Sequence, residues 1–126
     1  MDNIQQKIKE INEFFATKPW FDFELIELVN KNAKIAGSTD FSLFREIEIV
    51  IEDISYVQCP DNWKSDTKKE VIVIPTMENQ KKMNMSYQVE QGYTLIQFVA
   101  EDMEPIYFSC KGITYNFDKI YYKLSI

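Results

Sequence analysis

The stretch that most constrains the fold is residues 83–100, MNMSYQVEQGYTLIQFVA. Met83, Met85, Tyr87 and Val89 fall on every second position, with Asn84, Ser86, Gln88 and Glu90 between them. A period of two is that of a strand with one face buried. Gln91-Gly92 offers a two-residue turn, and glycine takes the positive φ that such a turn needs. That turn sets Tyr87 opposite Ile96, Met85 opposite Phe98 and Met83 opposite Ala100, so the apolar sets of both strands share a face. A slip of one residue would put one set into water. The pattern predicts an antiparallel sheet.

The chain before it supplies a helix and more strands. In residues 2–16, Ile4, Ile8, Ile11 and Phe15 recur at helical spacing. Asp2 or Asn3 can cap that helix, with Gln5 or Gln6 completing a capping box, and Thr17-Lys18-Pro19 stops it. Residues 19–30, PWFDFELIELVN, begin with a period of two that breaks at Ile26, which predicts a strand with a bulge near Leu25. Residues 30–42 are rich in turn formers, with room for a short strand at 34–36. Residues 43–59 are the longest strand candidate. Leu43, Ile47, Ile49 and Ile51 take one face; Phe44, Glu46, Glu48, Val50 and Glu52 take the other. After Glu52 the phase flips to Ile54 and Tyr56, as one extra residue at Glu52-Asp53 would cause. Residues 61–69 read as a polar loop containing Trp63, and 71–74 as a strand buried on both faces.

Beyond the hairpin, Ile106, Phe108 and Cys110 alternate with polar or aromatic neighbours. Only an odd-length loop, three or five residues, puts them on the face of Phe98 and Ala100. Gly112 shifts the phase to Ile113 and Tyr115, which suggests another bulge. Residues 119–124 end the chain with Ile120, Tyr122 and Leu124 in phase. The expectation is α+β: one domain over 1–126, an N-terminal helix on a curved, mainly antiparallel sheet or open barrel of about six or seven strands.

Composition narrows the function. The 126 residues carry 14 Lys and Arg against 20 Asp and Glu, a net charge of −6, with no histidine. Net negative charge argues against nucleic acid and anionic membranes as partners. Lacking histidine, the chain has no Ser–His or Cys–His nucleophile system, and no structural zinc site or other cofactor site is expected from Cys59 and Cys110. No phosphate loop or dinucleotide fingerprint occurs. The N-terminus has no apolar signal segment and no stretch is long enough to span a membrane, so a cytoplasmic setting with both thiols reduced is expected.

Charge is unevenly spread. Between Arg45 and Lys64 lie Glu46, Glu48, Glu52, Asp53 and Asp61 with no basic residue; between Lys82 and Lys111 lie Glu90, Glu101, Asp102 and Glu104, again with none. Strand periodicity puts Glu46 and Glu48 on one face, with Glu52 near it. Such a surface steers and selects a basic protein partner. The candidate partner-binding residues are Glu46, Glu48, Glu52, Asp53, Glu101, Asp102 and Glu104, with Trp63 as an exposed aromatic anchor.

Trp20-Phe21-Asp22, followed by Ile47-Glu48-Ile49-Val50-Ile51-Glu52-Asp53-Ile54, resembles small bacterial β-rich families grouped with polymorphic-toxin immunity proteins. The resemblance covers residues 19–57, with a looser echo in 93–115. It implies a cytosolic, non-enzymatic inhibitor that binds a toxin domain through acidic surface, with no catalytic residue. Two other classes stand beside it. One is a small-molecule-binding barrel whose cavity is lined by aromatics from Trp20, Tyr56, Trp63, Tyr87, Tyr93, Tyr107 and Tyr115. The other is an enzyme using two close carboxylates. The exposed strand at 119–124 also offers an edge for pairing with its copy in a homodimer.

Overall fold

Among residues 4–76, 78, 92–100 and 105–122, which the computed structural model describes, the chain forms one helix and eleven strands. Ile4, Ile8, Ile11 and Phe15, spaced for one side of a helix, are all buried along α1 (Ile4–Phe15). The helix ends as the 3₁₀ turn that often closes an α-helix: Thr17 N donates to Phe14 O at 3.2 Å and Lys18 N to Phe15 O at 2.9 Å. The cap expected at Asp2 or Asn3 lies outside the described residues.

The run at 19–30 is a strand, β1 (Trp20–Val29), and its register against β2 (Asn32–Ser38) shifts between Leu25 and Glu27, where the bulge is expected. Asn30 and Lys31 join them in left-handed conformation, with φ of 53° and 66°, as a two-residue hairpin requires. β2 is longer than the segment at 34–36 because Gly37 and Ser38, turn formers by type, pair within it. Gly37 is there for space. A Cβ on it would lie 2.7 Å from Ile47 Cγ2 and 3.1 Å from the rings of Phe21 and Phe23.

The long strand expected at 43–59 is three: β3 (Phe44–Arg45), β4 (Ile47–Glu52) and β5 (Tyr56–Gln58). Then come β6 (Asn62–Asp66), β7 (Ile72–Val73), β8 (Thr94–Phe98), β9 (Ile106–Cys110), β10 (Gly112–Asn116) and β11 (Ile120–Tyr121). They make a five-stranded sheet in the order β10-β4-β2-β1-β6, a four-stranded sheet β5-β9-β8-β7, and a pair β11-β3, all antiparallel. The strands outnumber the six or seven expected because backbone breaks at Glu46, residues 53–55 and Lys111 divide the longer apolar runs, and because the segment expected as a polar loop at 61–69 forms β6, with Trp63 and Ser65 turned inward. The sheets are open, not a closed barrel.

One corner links the two larger sheets. Strands β4 and β10 pair in the first, β5 and β9 in the second. Four steps from Glu52 to Tyr56 face three from Gly112 to Ser109, so the extra residue expected near Glu52-Asp53 is present. Asp53 takes a left-handed φ of 52° there. Lys111 N donates to Glu52 O at 3.0 Å and Ser55 N to Ser109 O at 2.8 Å, which carries the ladder around the bend. The phase change at Gly112 belongs to this same corner; no second extra residue is needed on its strand.

The face parity of β8 and β9 is as expected, since Phe98 sits opposite Ile106 and Ile96 opposite Phe108. The connection, residues 99–105, is odd in number but longer than three or five. The register proposed for the hairpin fails at Phe98, whose two neighbours across the sheet are Ile72 and Ile106. The short run at 71–74 takes the place assigned to Met85. The strand expected at 83–89 lies outside the described residues.

Between the sheets Phe15, Phe21, Phe23, Trp63, Phe98 and Phe108 pack ring against ring, with centroids 4.9–5.9 Å apart. The helix touches β10 of one sheet and β7 of the other. Its Asn12 amide donates to Ile72 O at 2.9 Å and accepts from Val71 N and Ile72 N at 3.0 Å, tying the helix to the end of the second sheet. No described helix is long and apolar enough to cross a membrane.

Candidate functional site

Alternation along β1 decides what faces solvent. Phe21 and Phe23 are fully buried, so Trp20, Asp22 and Glu24 point to the outer side of the five-stranded sheet. On β4, Ile47, Ile49 and Ile51 are buried and Glu48, Val50 and Glu52 face outward. Register then brings the carboxylates together. Ala36 of β2 pairs with Glu24 on one side and Glu48 on the other. Strand spacing puts those two glutamates about 10 Å apart at Cα, with Asp22 about 7 Å along β1 from Glu24. Basic side chains also reach this face: Lys34 lies two residues from Ala36 on β2, opposite the outward Val50. Lys64, opposite Asp22, lies over the Trp20 ring at 4.8 Å, and Arg45 pairs with Glu48 at 3.6 Å.

A cleft of about 570 Å³ opens at the β1–β6 side of this face, lined by Asp22, Phe23, Glu24, Leu25, Phe41, Asp61, Asn62, Trp63 and Lys64. Phe41 comes from the turn at 39–43, which is densely bonded. Leu43 N and Phe44 N both donate to Asp40 O at 3.1 Å. Ser38 Oγ accepts from Asp40 N at 2.9 Å and donates to Phe44 O at 2.7 Å. Asp40 Oδ1 accepts from Ser42 N at 3.0 Å and Ser42 Oγ at 2.5 Å. Asp61 is held beside β1 by a bond from Leu25 N to its carbonyl at 2.8 Å. Among the described residues, no basic group is in ion-pair contact with Asp22, Glu24 or Asp61.

The residues picked from sequence separate into different roles. Glu46 is not on the outer face. It sits in the break between β3 and β4, 5% exposed, and its Oε2 accepts from Thr39 N at 2.8 Å and Thr39 Oγ1 at 2.6 Å, with Lys18 Nζ at 3.2 Å from Oε1. Burial disfavours its charge, but the Thr39 bonds and Lys18 outweigh that and hold the carboxyl below its ordinary value. Glu46 therefore anchors the start of the turn that carries Phe41. Glu48 and Glu52 do face outward, half-buried. Asp53 is exposed at the corner, its N donating to Asn32 Oδ1 at 3.1 Å. Trp63 is not an exposed anchor: it is 3% exposed, lies in β6, stacks on Phe23 and meets Phe98 edge-to-face. Glu101, Asp102 and Glu104 lie outside the described residues.

Asp22 and Glu24 are not among the residues that the charge pattern selects, and Asp61 enters only as a member of the stretch between Arg45 and Lys64. The signal was present in Trp20-Phe21-Asp22-Phe23-Glu24, where the aromatic alternation already assigns both carboxylates to the other face. Elsewhere the polar chemistry is structural. Tyr115 donates its hydroxyl to Glu10 across the helix–β10 contact. That bond pushes the phenol up to about 12 and lowers the Glu10 carboxyl. Cys59 and Cys110 are not joined in a disulfide, and burial, with Asp61 nearby, pushes Cys59 up to about 12, so it stays protonated. Of the other aromatics, Tyr56 packs with Leu95 and Tyr107 as a cluster separate from the main core, and Tyr93 lies under Lys111 at 5.1 Å. Tyr87 lies outside the described residues. Among the described residues no group of three or more acidic or cysteine side chains is placed to hold a metal ion.

Fold and site define a mainly antiparallel β protein with one helix and an acidic sheet face. No family model matches the chain, nor does any curated protein or solved structure.

Proposed function

We propose that this is a non-enzymatic binding protein that holds a basic protein partner on the outer face of its five-stranded sheet, as an immunity-type protein holds and neutralises a toxin. The observation that supports it is the gathering of Asp22, Glu24, Glu48 and Glu52 onto one side of the sheet, in a chain of net charge −6. Such a face accelerates encounter with a basic surface and rejects acidic ones. Its partner is protein, because the same charge repels nucleic acid and anionic lipid. The ligand-cavity reading gains no comparable support, since the inward aromatics pack on one another.

The test is affinity capture from the native host with the wild-type protein and with Glu24→Lys/Glu48→Lys. The expected result is a basic protein retained at low salt, released at high salt and lost with the double variant. That protein should be toxic when expressed alone and harmless when co-expressed. Retention that is indifferent to both salt and charge reversal would sink the proposal.

A further inference from the structure

Resting on that reading, we infer that the cleft beside Phe41 is the point where the partner inserts an arginine side chain. A flat acidic face attracts any cation, but this cleft has a shape that suits one in particular. Asp22 and Glu24, from successive outward positions of β1, line it together with Asp61, which precedes β6. Phe41, partly exposed, lines it too, and a guanidinium entering beside these carboxylates would take that ring as its wall.

A guanidinium is planar, stacks on an aromatic face and meets carboxylates through a fork of N–H donors. An ammonium is a compact, strongly hydrated point charge that gains less from a ring wall. Lys64, which lines the cleft across from Asp22, lies with its Nζ 4.8 Å from the centroid of Trp20 and is in ion-pair contact with none of the three carboxylates. The wall is also prepared in advance. Thr39 is fixed by the buried Glu46 carboxylate, and Asp40 accepts from Ser42, Leu43 and Phe44, so the turn needs no ordering on binding. Glu46 thus fixes the start of the turn that carries Phe41.

Hexa-arginine and hexa-lysine peptides of equal charge test this by titration against the whole protein, read by calorimetry and by the Phe41 ring signals in NMR. The arginine peptide is expected to bind about threefold more tightly, the scale of an exposed ring–guanidinium contact. Asp22→Asn/Glu24→Gln should weaken both peptides. Phe41→Leu, which keeps apolar bulk at the turn, should abolish the arginine preference and leave lysine binding unchanged. Equal binding of the two peptides overturns the inference, as does a preference that survives Phe41→Leu. If the natural partner is still captured and released by salt while the arginine preference is missing, the cleft assignment falls and the acidic-face proposal stands. If no basic partner is captured at all, that proposal falls on its own test.

Discussion

The two faces of the five-stranded sheet are built from the same strands by opposite rules. Inward, Phe21, Phe23, Ile35, Ile47, Ile49 and Ile51 are fully or almost fully buried, and Gly37 is there because nothing larger fits. Outward, Asp22, Glu24, Glu48 and Glu52 are placed by alternation and register, with Arg45 pairing Glu48 at 3.6 Å. The inner face is expected to tolerate little change in volume, and the outer face to tolerate changes in charge. Stability and recognition are therefore assigned to alternate residues of the same strands, and they can be perturbed separately.

The largest expected effect is on the inside. Phe23→Ala removes a ring that touches Phe15, Phe21, Trp63 and Phe98 and should cost about 4 kcal/mol. A fall in the denaturation midpoint at unchanged slope is the readout. Gly37→Ala overpacks the same face and should cost about 2 kcal/mol, a value that would drop to near zero if Ile47 could move aside. Glu46→Ala lies between the two regimes, because the side chain is polar yet buried. It should cost about 1.5 kcal/mol by leaving Thr39 without its acceptor.

Glu46 also gives stability a sign with pH. Its folded carboxyl is depressed below the unfolded value. Its contribution is therefore complete above the ordinary carboxylate range and is lost as pH falls through the folded value. Glu46→Gln should flatten that part of the acid limb in a stability–pH series. The smallest stability effect is expected outside: Glu24→Lys/Glu48→Lys should change unfolding free energy by no more than about 0.5 kcal/mol. A larger loss would mean that the outer face is part of the architecture, and the separation of the two faces would fail.

Much of this contrast could be read from the chain. The stripe of α1, the bulge near Leu25 and the extra residue after Glu52 all follow from local periodicity, and each is where the pattern puts it. What could not be read depends on distant partners. Glu46 and Glu48 share parity only if the strand is continuous. The backbone breaks at Glu46, and its carboxylate is met by Thr39 and by Lys18 from beyond the helix end. Trp63 looked like a loop residue because its neighbours are Asn62, Lys64, Ser65 and Asp66. Those neighbours in fact alternate, with Ser65 occupying a core position. Its hydroxyl is satisfied by Val99 O at 2.7 Å, a bond that sequence spacing does not announce. The partner of β8 was mistaken for a similar reason: a good local hairpin pattern says nothing about a competing strand at Ile72.

The corner at residues 53–55 has a consequence for how the molecule comes apart. The segments 47–58 and 106–116 each run through both larger sheets, so peeling either sheet open strips paired strands from the other. The ladder continues through the bend by the Lys111–Glu52 and Ser55–Ser109 bonds. Opening is therefore expected to be all-or-none: amide protons of Ile51 in one sheet and Phe108 in the other should exchange with a common protection, the hallmark of a shared unfolding event. A partner gripping only the outer face of the first sheet would then slow exchange at Phe108 as well, although it never touches the second.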